Sequence, residues 1–334
     1  PVQRVGDEYV AYVRNLTPMG ATTFTVSDEE LAADTVRVTR EYFETPFFSG
    51  RFDESMRIVS LIDKRVNREL CRPGEKLNRI VCYENRPHNY DAWDVNIYYN
   101  RRRWEVDQVA GVEIVSEGPV CAVLRVKYAY SASTVEQELR FYRDLPRIDF
   151  NTRVNWNEEH YLLKAHFPLD VFYNDATFDV QYGNVRRATH KNTSWDAARF
   201  EVCAHKWMDV SEPDYGVALL NDCKYGHSVD ENGLALTLLK SSTYPDPKAD
   251  QGEHEFCYAL LPHVGDWREG GVVDAAYAFN CPAEAIPGMR ARDAGAFVRL
   301  EGEGAVVESV KKAEDGGDVI VRLYECYGRR ANVK

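Results

Sequence analysis

Alternation of apolar and polar residues runs through three consecutive segments in the middle of the 334-residue chain. In residues 120–130 every even position is aliphatic or aromatic, while Arg125 and Lys127 lie between these positions. A period of two residues is that of a β-strand, and a strand with one polar face is half-buried. Residues 135–141 and 148–156 repeat the pattern. The three segments therefore predict an antiparallel meander with one face in solvent.

Similar β signals flank this centre, and helical signals are scarce. Short strand-like segments occur at residues 57–63, 95–99, 215–220 and 234–239. Only brief stretches such as residues 28–34 have the composition of helical turns. We therefore predict an all-β fold in which many strands form a large sandwich.

The last fifty residues have the pattern of a separate, smaller β module. Residues 282–287 contain prolines typical of a linker. Beyond them, two apolar segments flank Glu314-Asp315-Gly316-Gly317-Asp318, which is typical of a hairpin turn. We predict three parts: residues 1–34 as an N-terminal β segment or linker, residues 35–284 as the β-sandwich, and residues 285–334 as a partial C-terminal β module.

Charge and composition exclude several classes of partner. The chain has 53 Asp and Glu against 41 Lys and Arg, a net charge of −12, which disfavours nucleic acids. It lacks the roughly 20 consecutive apolar residues of a membrane span. Eight scattered cysteines without a Cys-x-x-Cys pair predict buried free thiols in a reducing compartment, and hence a cytoplasmic protein. The chain opens without Met on strand-like residues, so we expect an excerpt from a longer protein.

The chemistry-bearing residues include no recognisable metal or catalytic motif. None of the eight histidines forms a His-x-His, His-x-Asp or His-Glu-x-x-His pattern, so we predict no metal site in this chain. Paired carboxylates serve glycoside hydrolysis. Close acidic pairs occur at Asp91 and Asp94, Glu158 and Glu159, and Asp209 and Glu212. Among 53 acidic residues such pairs arise by chance, and a solvated surface is the simpler interpretation.

Residues 182–227 form the densest run of aromatic, basic and amide side chains. Sugar recognition uses flat aromatic faces together with fixed hydrogen-bond donors and acceptors, and this stretch supplies both. The alternative is a set of buried polar pairs that hold loops between sheets. For the region as a whole we predict proximity to a carbohydrate site.

Several long motifs follow one another in order along the chain. They are Glu84-Asn85-Arg86-Pro87, Tyr90-Asp91-Ala92-Trp93-Asp94-Val95, Gln181-Tyr182-Gly183-Asn184-Val185-Arg186-Arg187-Ala188-Thr189-His190, His205-Lys206-Trp207 and Asn221-Asp222-Cys223-Lys224-Tyr225-Gly226. Together they closely resemble the C-terminal β region of class II α-mannosidases, glycoside hydrolase family 38, and most nearly its cytosolic and vacuolar branch.

The resemblance implies a fold for this chain and places catalysis in another domain of the protein. It implies a supersandwich of the galactose mutarotase kind and an enzyme that hydrolyses α-mannosides with retention. In that family the zinc ligands and the aspartate nucleophile belong to an N-terminal α/β barrel, and nothing here matches it. We therefore expect this chain to pack on its own catalytic domain, to line the site in part, and to be inactive alone. Zinc is expected in the missing domain and no cofactor in this one.

The resemblance also implies substrate contacts from the β region, including an arginine. Arg186 and Arg187, which follow Tyr182-Gly183-Asn184, match best, and the choice between them is open. The expected ligand is an α-mannoside or a manno-oligosaccharide, and no catalytic residue is assigned. Further candidates for substrate binding are Tyr182, Asp91, Trp93, Asp94, His190, Asp222 and Tyr225.

Two other functions fit the residues. One is an autonomous carbohydrate-binding module that shares the sandwich. The other is a mutarotase-like sugar epimerase with a histidine acid and a carboxylate base, although spacing identifies no such pair.

Overall fold

The computed structural model describes residues 1–25, 27, 35–288 and 295–334, and regular structure there is almost entirely β. The first strands are β1 (Val2–Val5), β2 (Glu8–Ala11), β3 (Arg37–Val38), β4 (Tyr42–Glu44), β5 (Phe48–Phe52), β6 (Ile58–Asp63), β7 (Arg68–Glu69), β8 (Arg79–Glu84) and β9 (Arg103–Glu105). The middle strands are β10 (Gln108–Ser116), β11 (Cys121–Tyr130), β12 (Ser133–Tyr142), β13 (Ile148–Trp156), β14 (Tyr161–Phe167), β15 (Asp175–Val180), β16 (Gly183–Ala188), β17 (Val202–Cys203) and β18 (Trp207–Ser211). The last strands are β19 (Tyr215–Asn221), β20 (Gly226–Asp230), β21 (Gly233–Lys240), β22 (Gly252–Val264), β23 (Ala305–Lys312) and β24 (Val319–Glu325). The helices are α1 (Ser194–Ala197), α2 (Val272–Asn280) and a 3₁₀ helix (Ile97–Arg101).

Two large antiparallel sheets form the body of the molecule. One has nine strands in the order β10-β11-β12-β13-β22-β19-β18-β15-β16, and the other has six in the order β17-β20-β21-β14-β8-β9. A five-stranded sheet, β3-β4-β5-β6-β7, adds to the same core. The predicted meander is confirmed, because β11, β12 and β13 are consecutive neighbours. The predicted all-β antiparallel supersandwich is confirmed as well.

Alternation along the strands decides which side chains enter the core. On β12, Val135, Gln137, Leu139 and Phe141 are buried, while the three residues between them are partly exposed. The main core lies between the inner faces of the sheets, where burial of each large apolar side chain contributes roughly 1.5–3 kcal/mol. Its bulkiest fully buried members include Trp156, Tyr128, Tyr258, Phe150 and Phe167.

Strand β19 is buried along its whole length, because a helix covers its second face. Ala218 and Leu220 pack in a second core with Val272, Val273 and Ala276 of α2. The continuous apolar run of this strand is therefore the signature of a strand covered on both sides.

The strand predicted at residues 95–99 is wrong, since this segment leads into the 3₁₀ helix. Asn96 caps that helix by accepting the backbone N–H of Tyr98 at 3.2 Å. Val95 and Tyr99 instead pack on Val81, Tyr83 and other residues of the six-stranded sheet. The apolar residues therefore belong to a covering loop, which the sequence pattern alone does not distinguish from a strand. The helical turns predicted for residues 28–34 lie outside the described residues.

The cysteines are free, as predicted, but they are not uniformly buried. Cys71, Cys82, Cys121 and Cys326 are buried, Cys257 is half-buried, and the remaining three are exposed. The prediction of buried thiols is therefore wrong for Cys203, Cys223 and Cys281. Cys203 lies on the short edge strand β17, Cys223 follows β19, and Cys281 follows α2. All three positions lie outside the hydrophobic cores.

The predicted C-terminal hairpin is confirmed by the pairing of β23 with β24. Tyr324 on one of its faces approaches the hydroxyl of Tyr277 in α2 at 2.7 Å. The division of the chain into three parts stays a prediction. No helix in the described ranges is long and apolar enough to span a membrane.

Candidate functional site

The outer face of the six-stranded sheet carries a polar cleft between two loops. The first loop, residues 85–102, contains the 3₁₀ helix, and the second, residues 189–201, contains α1. Thr193 caps α1 through the backbone N–H of Asp196 at 3.1 Å and through its carboxylate at 2.7 Å. The cleft between the loops has a volume of about 190 Å³ and is lined mainly by charged, histidine and amide side chains.

A buried ionic network holds both loops to the sheet. Lys164 of β14 has no solvent exposure, and its Nζ forms an ion pair with Glu201 of the second loop. Lys164 also donates to Ser228 Oγ at 2.8 Å and to the Tyr99 hydroxyl at 3.3 Å. Tyr99 belongs to the first loop and donates to Glu201 Oε1 at 3.0 Å. Burial and the Glu201 carboxylate raise the pKa of Tyr99, so it remains a donor.

A second buried polar pair lies beside this network. The Tyr83 hydroxyl is 2.9 Å from His166 Nε2. Burial, together with the charges of Lys164, Arg79 and Arg103, holds the pKa of His166 well below its usual value. Burial raises the pKa of Tyr83 to about 12. Both side chains are therefore neutral near pH 7, and the cationic charge in the cleft comes from the arginines and lysines around it.

His190 is the predicted substrate-binding residue that lines the cleft. Its Nδ1 lies 3.6 Å from Asp196 Oδ2, and Arg199 Nη1 lies 4.0 Å from the other oxygen of the same carboxylate. The side chain of His190 is partly exposed. His190 therefore borders both the cleft and the Asp196 carboxylate.

Asp91 and Asp94 hold the first loop in place. Lys240 Nζ donates to the backbone carbonyls of Asp91 and Asp94 at 2.5 and 2.6 Å. The Asp91 carboxylate accepts the backbone N–H of Thr243 at 2.7 Å. Trp93, between the two aspartates, is 67% exposed. The contacts of these carboxyl residues thus anchor a loop that presents the tryptophan to solvent.

The structure separates the roles of Arg186 and Arg187, which point to opposite faces of β16. Arg186 forms a bidentate ion pair with Asp175, with nitrogen–oxygen distances of 2.7 and 2.8 Å, and its side chain is 66% exposed. Arg187 lies over the ring of Phe178 at 4.6 Å, on the core side of the strand. Its Nη1 is buried and has no hydrogen-bond partner among the described residues.

The other predicted residues lie apart from the cleft. Tyr182 packs edge-on against Tyr324 of the C-terminal hairpin, with ring centroids 5.9 Å apart. The Tyr225 ring is 4.9 Å from that of His205. Asp222 accepts the backbone N–H of Cys257 at 2.9 Å and lines a groove on the outer face of the nine-stranded sheet. The predicted residues therefore do not form one constellation.

Sequence reasoning missed Tyr99, Tyr83 and His166, which line the cleft, and Lys164 and Glu201, whose ion pair holds the second loop to the sheet. One signal was present, because Lys164 interrupts the apolar run of β14, and a buried lysine requires a partner. The identity of that partner was not predictable, since Glu201 lies in a loop 37 residues away.

Metal ligands are not gathered at this site. Among the described residues, no three His, Cys, Asp or Glu side chains are grouped as a metal centre requires. The residues present do not fit a catalytic zinc ion.

Comparison with known families identifies the chain. The pattern of the glycosyl hydrolases family 38 C-terminal domain matches residues 43–248, and that of the family 38 C-terminal beta sandwich domain matches residues 304–334. The chain belongs to glycosyl hydrolase family 38. The first match contains both loops of the cleft and the six strands beneath them.

Four curated relatives, at 33–39% identity, are α-mannosidases of greater length. The chain is 39% identical to Alpha-mannosidase 2C1 of Homo sapiens over 83% of the chain, and 36% identical to Alpha-mannosidase G of Dictyostelium discoideum over 85%. It spans 27% of the length of each. Among solved structures, an α-mannosidase from Enterococcus faecalis V583 superposes with a TM-score of 0.73 at 15% identity, covering 91% of this chain and 39% of that one. That likeness supports the family 38 fold.

Proposed function

We propose that this chain is the β region of a zinc-dependent retaining α-mannosidase, and that it supports and partly lines an active site whose catalytic residues lie elsewhere in the polypeptide. The observation that carries the proposal is the family match across residues 43–248, in a chain that spans about a quarter of its curated relatives. Retention needs two carboxyl groups about 5–5.5 Å apart. We assign neither of them to this chain. The proposed setting is the cytoplasm, and the proposed substrate is an α-mannoside.

Arg187, rather than Arg186, is the arginine that we propose for contact with sugar. The guanidinium of Arg186 is already occupied by Asp175, on the side of β16 that faces away from the core. Arg187 has an unpaired donor, and Cys203 and Arg199 are near enough to affect its pKa, which burial lowers. A guanidinium without a carboxylate partner is the one free to donate to an incoming oxygen.

The outer face of the six-stranded sheet is the surface that we propose for packing on the catalytic domain. Its two loops expose large aromatic side chains around a polar cleft, as an interface core does. These exposed residues are Tyr90, Trp93, Tyr98 and Trp195. Burial of such rings against a second domain would remove an apolar surface that is costly to leave in water.

The proposal is tested by comparing the full-length polypeptide with the 334-residue chain for hydrolysis of an aryl α-mannoside. We expect turnover by the full-length polypeptide alone. Turnover by the isolated chain would contradict the proposal, as would an inactive full-length polypeptide that is folded and loaded with zinc.

The two arginines supply a matched pair for the sugar contact. In the full-length polypeptide, Arg187→Ala should lower kcat/KM about 30-fold, because a hydrogen bond to a charged donor contributes roughly 2 kcal/mol. Arg186→Ala should change kcat/KM less than threefold. Equal effects of the two changes would refute the assignment.

A further inference from the structure

Neighbouring strands place basic, aromatic and histidine side chains side by side beneath the cleft. In the six-stranded sheet, Arg103 of β9 is directly opposite Tyr83 of β8, and Arg79 of β8 is directly opposite His166 of β14. Directly opposite residues share one face of the sheet, with Cβ atoms roughly 4.5–5.5 Å apart. On the other side of His166 lies Ala235 of β21, whose side chain is too small to fill the space above it. All five residues line the cavity of about 190 Å³.

The hydrogen bonds of Tyr83 determine where His166 carries its proton. The Tyr83 hydroxyl is 2.9 Å from His166 Nε2, and Arg103 also hydrogen-bonds to this hydroxyl. A guanidinium is only a donor, so the Tyr83 oxygen accepts from Arg103 and its own proton is donated to Nε2. Burial lowers the pKa of His166 and keeps the ring neutral near pH 7, so its single N–H proton lies on Nδ1. Arg103 and His166 are therefore both N–H donors in the wall of the cavity.

Two further cations at the cleft have donors that the nearby carboxylates do not use. Lys191 Nζ lies 3.8 Å from the Asp230 carboxylate, and Arg199 Nη1 lies 4.0 Å from that of Asp196. Both separations exceed the length of a hydrogen bond. Each carboxylate has a hydrogen bond elsewhere, since Asp230 accepts a backbone N–H at 2.8 Å and Asp196 accepts the Thr193 hydroxyl at 2.7 Å. The side chains of Lys191 and Arg199 are each 51% exposed, so their donors are accessible to a ligand.

Cations outnumber carboxylates in the cleft once the closed ion pairs are excluded. Arg79 forms ion pairs with Glu75 and Glu105 and is not available to a ligand. The other ionised residues that line the cleft are Arg103, Lys191 and Arg199 against Asp196 and Asp230. An excess of donors and of positive charge is typical of a site for an oxyanion, and here it occurs in a chain with a net charge of −12.

We propose that the cleft binds an oxyanion, held by Arg103 and His166 from the sheet and by Lys191 and Arg199 from the second loop. Phosphate and carboxylate groups present acceptor oxygens around a negative charge, which matches this set of donors. The inference goes beyond the proposed function, because the α-mannoside proposed there needs no charge. A free oxyanion and an acidic group carried on a sugar share this chemistry, and the experiment separates the two sources.

Calorimetric titration of the 334-residue chain with inorganic phosphate tests the site. Phosphate should bind at millimolar concentration or below, and Arg103→Met should weaken binding about 30-fold, because a charge-assisted hydrogen bond is lost. The matched control is Arg102→Met, which removes the same charge from a side chain that pairs with Glu84 at 2.9 Å and lies outside the cleft lining. It should change the affinity less than about twofold, because exposed charges are screened. Arg199→Gln should weaken binding about tenfold, because the second loop then loses one cation.

Phosphate carried on a sugar is the second probe. Mannose 6-phosphate should bind about tenfold more tightly than inorganic phosphate if a sugar carries the natural anion, and with equal affinity if the oxyanion is free. In both cases Arg103→Met should weaken the binding of both probes.

The inference is wrong if millimolar phosphate fails to bind. It is also wrong if Arg102→Met and Arg103→Met weaken binding equally, since the general field of the surface would then attract the anion. Loss of the Arg103-dependent binding in the full-length polypeptide would overturn it too, because these cations would then serve a carboxylate of the catalytic domain. Hydrolysis of α-mannosides does not enter these titrations, so failure of the proposed function would leave their result unchanged.

Discussion

The outer faces of the two large sheets carry the same kinds of charged residue but use them differently. On the nine-stranded sheet, charges pair across neighbouring strands: Arg125 binds Glu138 at 2.7 Å and Glu113 at 2.9 Å, and Lys127 binds Glu136 at 2.7 Å. On the six-stranded sheet, loops cover the charges, and Lys164 is buried against Glu201. Around Arg125 and Lys127 the first face is a solvated ladder of ion pairs, although α2 covers the same sheet at β19, whereas the second face lies beneath a cleft.

This difference shows where chemistry can develop on a β-sandwich. Exposed cross-strand pairs satisfy one another, lie in a high dielectric and leave no group available to a ligand. A covered face lowers the dielectric, shifts pKa values and fixes donors and acceptors in position. The strongly shifted pKa values of Tyr99 and His166 occur on the covered face for this reason.

The largest effect should come from the buried lysine. Lys164→Met leaves the Glu201 carboxylate without its cation in a mostly buried site, so the free energy of unfolding should fall by about 3–5 kcal/mol. The matched control is Lys127→Met, at a side chain that is 61% exposed, where the fall should be under about 1 kcal/mol. Urea unfolding of the two variants measures both values. Similar losses for the two variants would show that covering the outer face of the six-stranded sheet does not increase the contribution of its ion pair to stability.

The sequence predicted the first face better than the second. A period of two in residues 120–156 was sufficient for the meander, its solvent face and its strand order, because neighbours in sequence are neighbours in the sheet. The covered face depends on loops, whose conformation follows from long-range contacts such as those of Tyr99 with Lys164 and Glu201. The loop motifs were therefore recognisable only by resemblance, and residues 95–99 were misassigned. Among the site residues, local pattern could not separate Arg186 from Arg187.

The second effect concerns pH, and it arises at His227 of β20, which is fully buried on the inner face of the six-stranded sheet. Burial lowers the pKa of His227 to about 4, from its usual value near 6.5. Between these two pH values the unfolded chain binds a proton at this histidine and the folded chain does not. Stability should therefore fall as the pH drops through this window, by about 2 kcal/mol between pH 7 and pH 5. The ladder differs, because the ion-paired Glu138 has its pKa lowered below 4.5 and loses its stabilisation only in more acidic solution.

The non-titrating variant His227→Gln isolates the contribution of this histidine. Urea unfolding at pH 7 and pH 5 should show a smaller loss for His227→Gln than for the native chain, with the difference near 2 kcal/mol. Identical pH dependence would show that His227 titrates normally and that its ring is accessible to water.

A smaller loss should follow removal of one hydroxyl from the buried network. Tyr99→Phe keeps the ring that packs on Tyr83 but deletes the donor to Glu201, so stability should fall by about 1–2 kcal/mol. The same urea measurement applies, with Tyr98→Phe as the control, because Tyr98 is exposed on the same helix. An equal effect at Tyr98 would assign the loss to the helix rather than to the network.

The smallest effect is expected on the ladder itself. Arg125→Met removes the central cation of Glu113, Glu136 and Glu138, and each carboxylate remains accessible to water or to another cation. The free energy of unfolding should therefore fall by less than about 1 kcal/mol, and this loss should shrink in 1 M salt, where the Debye length is about 3 Å. The loss for Lys164→Met should persist in the same salt, because screening ions do not enter a buried pair. A ladder variant as costly and as salt-insensitive as Lys164→Met would erase the distinction between the two faces.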